Sequence, residues 1–252
     1  MGNLLENKVA VITGGGSGIG EATAILFAKN GAKVVVSDIN ELHGTAVAQK
    51  IKEEGSDAVF IKADVSIPAD CELLVNKTLE KYGQLDIAFN NAGIGGESNP
   101  VADISIEGWN HIISVNLSSM FYCMKYEIAA MQKKGKGTIV NMSSILGSVG
   151  FANSAGYVSA KHGVIGLTQN AALEYCAKGI RINSVGPGFI NTPLLTNAGI
   201  DDNVKKILVQ AHPIGRLGES NEVAELVLWL SSDKASFVSG SYYPVDGGYL
   251  AQ

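Results

Sequence analysis

Cysteine is scarce: Cys71, Cys123 and Cys176 are the only three, no C-x-x-C pair occurs, and the odd count argues against a disulfide framework. Reduced, buried thiols are the expected state. Clustered basic residues are missing as well. The net charge is −5 with no run of Lys or Arg, whereas a nucleic-acid partner needs grouped cations to neutralise phosphate. Long apolar runs are also lacking. The opening MGNLLENKVAVITGGG stops in glycines after a few apolar residues and reads as neither signal peptide nor membrane span. Glu6 stands where a myristoylation motif beginning at Gly2 wants Ser or Thr. These absences predict a cytoplasmic protein with no nucleic-acid or membrane partner. His43, His111, His162 and His212 show no ligand spacing with one another or with the cysteines, so no metal site is expected. No G-x-S-x-G occurs, which removes the serine-hydrolase elbow.

What is present describes a folded globular chain: 46% of residues are hydrophobic and 17% charged, too apolar for disorder. A length of 252 residues allows one large α/β domain or two small ones. The arrangement decides between them. Short β-branched runs recur as KVAVITG, KVVVSD, AVFIKAD, LDIAFNN, GTIVNMSS, IRINSVGPG and SYYPVDGG, each ending in Gly, Asn, Asp or Ser. Such runs are the signature of buried parallel strands. Between them lie helical patterns such as GIGEATAILFAKNG, where Ile19, Ala22, Ile25 and Leu26 fall on one face and Gly31 supplies the stop. No linker or repeat interrupts the alternation. The reading is one doubly wound Rossmann-type α/β domain over 1–252, with helices on both faces of the sheet.

Two stretches carry chemistry. The first strand runs into TGGGSGIGEA, and glycines at a strand-to-helix turn let backbone N–H groups approach a phosphate at a helix N-terminus. Gly14, Gly18 and Gly20 give G-x-x-x-G-x-G rather than G-x-G-x-x-G, and a P-loop fails because Glu21 stands where its lysine must be. A ligand-free tight turn is the plainer alternative. Asp38 ends the second strand, where a carboxylate can accept from both adenosine ribose hydroxyls. The second stretch is SAGYVSAKHG. On a helix Tyr157 and Lys161 are one turn apart, so an ammonium can acidify a phenol, although a plain surface pair has the same spacing.

Taken in order, TGGGSGIG at 13–20, ADVS at 63–66, NNAG at 90–93, SVNLSS at 114–119, IVNMSSILG at 139–147, YVSAK at 157–161 and VGPGFINTP at 185–193 make the chain resemble the short-chain dehydrogenase/reductase family from Lys8 to Gly248. That resemblance implies a seven-stranded parallel sheet, NAD or NADP as cofactor, and hydride transfer between an alcohol and a carbonyl. It implies Tyr157 as general acid/base, Lys161 as its activator and ribose ligand, Ser144 rather than Ser143 as the anchor of the carbonyl oxygen, and Asn116 in a water relay. Cofactor contacts carried over with it are Gly14, Ser17, Gly18, Ile19, Gly20, Asp38, Ile39, Asp64, Val65, Asn91, Ala92, Gly93, Tyr157, Lys161, Pro187, Gly188, Ile190 and Thr192. Asn90 and Asn91 are expected to brace the sheet and the ribose side.

NAD is the expected cofactor and NADP the less favoured, because Asp38 repels a 2′-phosphate while Ser17 and Ile39 offer no compensating cation. Ile94, Leu146, Phe151 and Phe189 are the expected substrate walls, with Gly95 and Ile145 beside them and a lid at about 192–215. Almost all of these are apolar. Lys205 and Lys206 in the lid read as a solvated face, and Glu97 disfavours anions. The expectation is a neutral, mostly apolar secondary alcohol or ketone, cyclic or aryl, turned over by a homotetramer or dimer. A non-redox or cofactor-sensing protein on the same fold is the alternative.

Overall fold

All seven apolar runs form strands: β1 (Val9–Thr13), β2 (Lys33–Asp38), β3 (Ala58–Lys62), β4 (Ile87–Asn90), β5 (Gly137–Met142), β6 (Ile180–Pro187) and β7 (Tyr242–Val245). The computed structural model describes residues 3–196 and 202–252. The strands build one seven-stranded parallel sheet, as the resemblance implies, in the order β3-β2-β1-β4-β5-β6-β7. Both faces are covered. Ala10 and Ile12 of β1 and Val34 and Val36 of β2 enter one core, while Val11 and Val35 between them enter the other. Burial on two sides is why these strands read as continuous apolar runs instead of alternating ones.

The helices are α1 (Gly18–Lys29), α2 (Glu41–Glu53), α3 (Pro68–Tyr82), α4 (Ile106–Ile113), α5 (Ser119–Lys134), α6 (Ala155–Tyr175), α7 (Pro193–Thr196), α8 (Asp202–Gln210) and α9 (Ser220–Ser231). The face of α1 that carries Ile19, Ile25 and Leu26 is not its most buried one. Gly20, Thr23, Ala24, Phe27 and Ala28 are buried, while Ile19, Ile25 and Leu26 are only partly covered against the same core. The helix is packed between the sheet and α9, so apolar residues serve more than one side of it. Cys71 and Cys123 are buried thiols, but Cys176 is exposed at the end of α6, against expectation. Among the described residues no helix is long and apolar enough to cross a membrane, and no cluster of three metal-ligating side chains occurs.

The chain reverses its direction of travel across the sheet between β1 and β4, and the C-terminal ends of such strands open the crevice where ligands bind. TGGGSGIG, ADVS, NNAG, IVNMSSILG and VGPGFINTP run off strand ends at that edge, while SVNLSS lies between α4 and α5 and YVSAK within α6. Part of the expected lid, 197–201, lies outside the described residues.

Candidate active site

The glycine turn after β1 is shaped by close approach. Gly14 has φ +61°, and a Cβ there would lie 2.9 Å from the Ala92 Cα; a Cβ at Gly20 would overlap the Gly14 carbonyl. Asn91 closes the turn from the end of β4, its amide donating to the Thr13 and Gly14 carbonyls at 3.0 and 3.1 Å. Asp38 closes it from β2. One carboxylate oxygen accepts from the Gly16 N–H and the other from the Asn40 N–H, both at 2.9 Å. The turn is therefore held open on its backbone side, with no side chain from its glycines to fill it.

Beside this turn lies a cleft of about 750 Å³. It is lined by all the expected cofactor and substrate residues except Gly20, which packs against the turn itself. One end of it is assembled from β5 and α6. Tyr157 and Lys161 sit one turn apart on α6, and Ser144 follows β5. The two serines are separated by their partners. Ser144 hydrogen-bonds the Tyr157 phenol and accepts from the Leu146 N–H at 3.1 Å, whereas Ser143 donates to the Lys161 carbonyl at 2.9 Å.

Lys161 is 2% exposed, and its ammonium donates to the Met142 carbonyl at 2.8 Å. It lies 5.4 Å from the centroid of the Tyr157 ring. Burial pushes Lys161 down to about 8. Burial pushes the Tyr157 phenol up, opposed only by its bond from Ser144. In the chain alone the direction is opposite to the acidified phenol expected from the sequence, because desolvation of the phenol outweighs the hydrogen bond to its charged form.

Asn116 departs from a plain helical position. It lies in a π-turn, Ser114–Ser118, between α4 and α5, a distortion frequent at functional sites. Both ends of its amide are taken by Ile94: Oδ1 accepts from the Ile94 N–H and Nδ2 donates to the Ile94 carbonyl, each at 2.8 Å. Asn116 therefore holds a cleft wall from behind without lining the cleft itself.

The walls are apolar. Ile94, Leu146, Phe151 and Phe189 line one end together with Val115, Leu195, Val204 and Leu208. Phe189 packs against Phe151, His212 and Tyr249 with ring centroids 5.9, 5.7 and 6.1 Å away. Lys161 is the only Lys or Arg among the described lining residues, while Asp38, Asp64 and Glu97 also face the cleft. Lys205 and Lys206 are exposed on α8 and do not line it, and Ser105 hydrogen bonds hold Glu97 below the usual carboxylate range.

Sequence reasoning missed three residues that serve this site. His212 joins the end of α8 to the wall: Nδ1 meets the Leu208 carbonyl at 2.7 Å and Nε2 accepts from the Phe189 N–H at 3.2 Å. Glu127 of α5 is buried, accepts from Asn90 at 3.0 Å, and is pushed up to about 7 by burial. The third is Tyr242, whose hydroxyl donates to the Ser144 carbonyl. Only Glu127 left a trace in the sequence, as a lone acid between apolar residues in YEIAAM.

A family model described as enoyl-(acyl carrier protein) reductase matches residues 14–250. The chain is 51% identical over 252 residues to a cyclohexanol dehydrogenase of Acinetobacter sp. (strain SE19), covering 100% of this chain and 98% of the relative. It is 42% identical over 251 residues to a cis-4-hydroxycyclohexanecarboxylate dehydrogenase of Sinomonas cyclohexanicum, covering 100% of both. Among solved structures, that of a levodione reductase superposes with a TM-score of 0.94 at 38% identity, covering 98% of this chain and 99% of the other.

Proposed function

Since the chain belongs to the short-chain dehydrogenase/reductase family of oxidoreductases, we propose that it interconverts a neutral cyclic secondary alcohol of the cyclohexanol kind and its ketone, with NAD(H) as cofactor. The observation that carries this reading is the bonded pair Ser144 and Tyr157 set in a cleft with apolar walls and no Lys or Arg other than Lys161 among its described lining residues. The relatives' names point to the same ring chemistry.

The glycine turn fits a dinucleotide, since it is a backbone cradle that any Cβ at Gly14 or Gly20 would fill. Its N–H groups at the start of α1 suit a pyrophosphate, Asp38 the adenosine ribose, and Asp64 and Val65 the adenine. Lys161, Asn91, Ala92 and Gly93 would hold the far ribose, and Pro187, Gly188, Ile190 and Thr192 the nicotinamide. When bound, the cofactor supplies the hydride acceptor or donor and, oxidised, a positive ring charge.

The chain's own part is the proton. Ser144 holds the substrate oxygen, and Tyr157 takes the hydroxyl proton in oxidation or returns it in reduction. An unperturbed phenol near 10 must fall by roughly three units to work near neutrality, about 4 kcal/mol. Lys161, 5.4 Å from the ring centroid, offers at most about 3 kcal/mol of this at an effective dielectric near 20, and the positive ring charge of an oxidised cofactor would supply the rest. Asn116 belongs to the same assembly by fixing Ile94, and the family resemblance adds a water relay. Ser17 and Ile39 offer no cation for a 2′-phosphate, so NAD is preferred over NADP. The described parts of the expected lid bring Thr192, Leu195, Val204 and Leu208 to the cleft, where they would cover the substrate. Phe121 on α5 and Leu173 on α6 are exposed apolar side chains suited to burial in a homotetramer.

A panel of cyclohexanol, cyclohexanone, aryl ketones, diketones, sugars, acyl thioesters and 4-hydroxycyclohexanecarboxylate, followed by NADH absorbance, tests the reading. Neutral ring substrates are expected to lead. Turnover confined to carboxylated or phosphorylated substrates would contradict it.

A further inference from the structure

β7 is an edge strand, two strands away from β5, at whose end Ser144 stands. Its first residue nevertheless reaches that serine. The Tyr242 phenol crosses β6 at Gly186, where a Cβ would overlap the ring and its oxygen, and the hydroxyl donates to the Ser144 carbonyl at 2.8 Å. The same oxygen is hydrogen-bonded by the Ser148 side chain. Ser144 and Ser148 flank a single turn, Ile145–Gly147, so one hydroxyl ties both ends of it. The Ser144 carbonyl has one further partner, the Gly147 N–H at 2.9 Å, which belongs to the turn itself. Tyr242 is its contact from outside the turn.

Tyr242 does not line the cleft, so it can act on a bound substrate only through what it holds. Fixing the Ser144 carbonyl fixes the rotation of that peptide, and with it the place from which the Ser144 hydroxyl faces Tyr157. A misplacement of about 1 Å at such a group can cost as much as a hundredfold in rate. We infer that Tyr242 is a positioning residue for Ser144, acting across the sheet through the Ser144 carbonyl. The inference rests on the role of Ser144 proposed above.

The test is a double-mutant cycle with cyclohexanol and NAD. Tyr242→Phe removes the hydroxyl and leaves the ring over Gly186. In an otherwise wild-type chain it is expected to lower kcat at least about fivefold, while NADH affinity, read by fluorescence, changes less than about twofold. Placed in Ser144→Ala, the same change should alter the residual kcat by less than about twofold, because residues that act through one another are not additive. Ser148→Ala, which loosens the other end of the clamp, should show the same dependence on Ser144 with a smaller loss. Thermal melting checks that each variant is folded. Wild-type kcat in Tyr242→Phe, or an equal loss in both backgrounds, overturns the inference and leaves the role of Ser144 standing. Full activity in Ser144→Ala overturns that role and the inference with it.

Discussion

The Lys161 ammonium donates to the Met142 carbonyl at 2.8 Å, so the cation of the site is fastened to the end of β5 and held beneath the Tyr157 ring. Among the described residues no carboxylate pairs with it in a salt bridge. Keeping a buried charge without a counter-ion costs stability.

This cost has a pH signature. Lys161 titrates at about 8 in the folded chain against 10.5 for an ordinary lysine. Between those values the unfolded chain binds the extra proton, so the wild type gains stability relative to Lys161→Met as pH rises. The gain amounts to about 3 kcal/mol when complete. Urea unfolding of both proteins from pH 7 to pH 10 measures it. A difference that is flat, or that falls with pH, contradicts the buried ammonium.

Glu127 carries the opposite signature. Its carboxyl is raised from 4.5 to about 7 by burial, so between those values the folded state holds a proton that the unfolded state has lost. Stability from this group is present below about 4.5 and disappears as pH rises through about 7, a change of about 3 kcal/mol. Glu127→Gln is therefore expected to match the wild type near pH 5 and exceed it by about 2–3 kcal/mol at pH 8. Denaturant midpoints at the two pH values decide the matter. A Gln variant less stable than the wild type at pH 8 shows instead that the charged carboxylate is favoured where it sits.

The Asp38 oxygens hold the Gly16 and Asn40 N–H groups, and the residue also lines the cleft at the end proposed for the adenosine. The wild type is expected to favour NAD over NADP by at least about tenfold in kcat/KM, equivalent to about 1.4 kcal/mol. Asp38→Ala should shrink that ratio and also raise the KM for NAD, because the turn loses its tie to β2. Equal kcat/KM values with both cofactors in the wild type would remove the charge argument.

The sheet was legible because each strand is an apolar run closed by a turn residue, and burial on both faces leaves little else for such runs to become. In the candidate site, the placements that were legible are those of groups close in sequence: Tyr157 and Lys161 share a helix turn, and the glycines of 14–20 share a loop. What stayed hidden depends on contacts between distant segments. Tyr242 and Ser144 are 98 residues apart and meet across a strand. The π-turn around Asn116 and the pairing of its amide with Ile94 follow from packing that no helical periodicity encodes. On α1 the helical period was legible, but the period did not say which side is fully buried, because α9 covers part of the side that would otherwise face water.

The central claim is that Tyr157 exchanges the proton of the reacting hydroxyl, and Tyr157→Phe tests it most directly. The variant keeps the ring under which Lys161 is held and loses only the hydroxyl bonded to Ser144. Turnover of cyclohexanol with NAD should fall at least about a thousandfold, within the range ascribed to general acid–base catalysis, while NADH binding by fluorescence stays within about threefold of the wild type. Turnover in Tyr157→Phe close to that of the wild type would contradict the account.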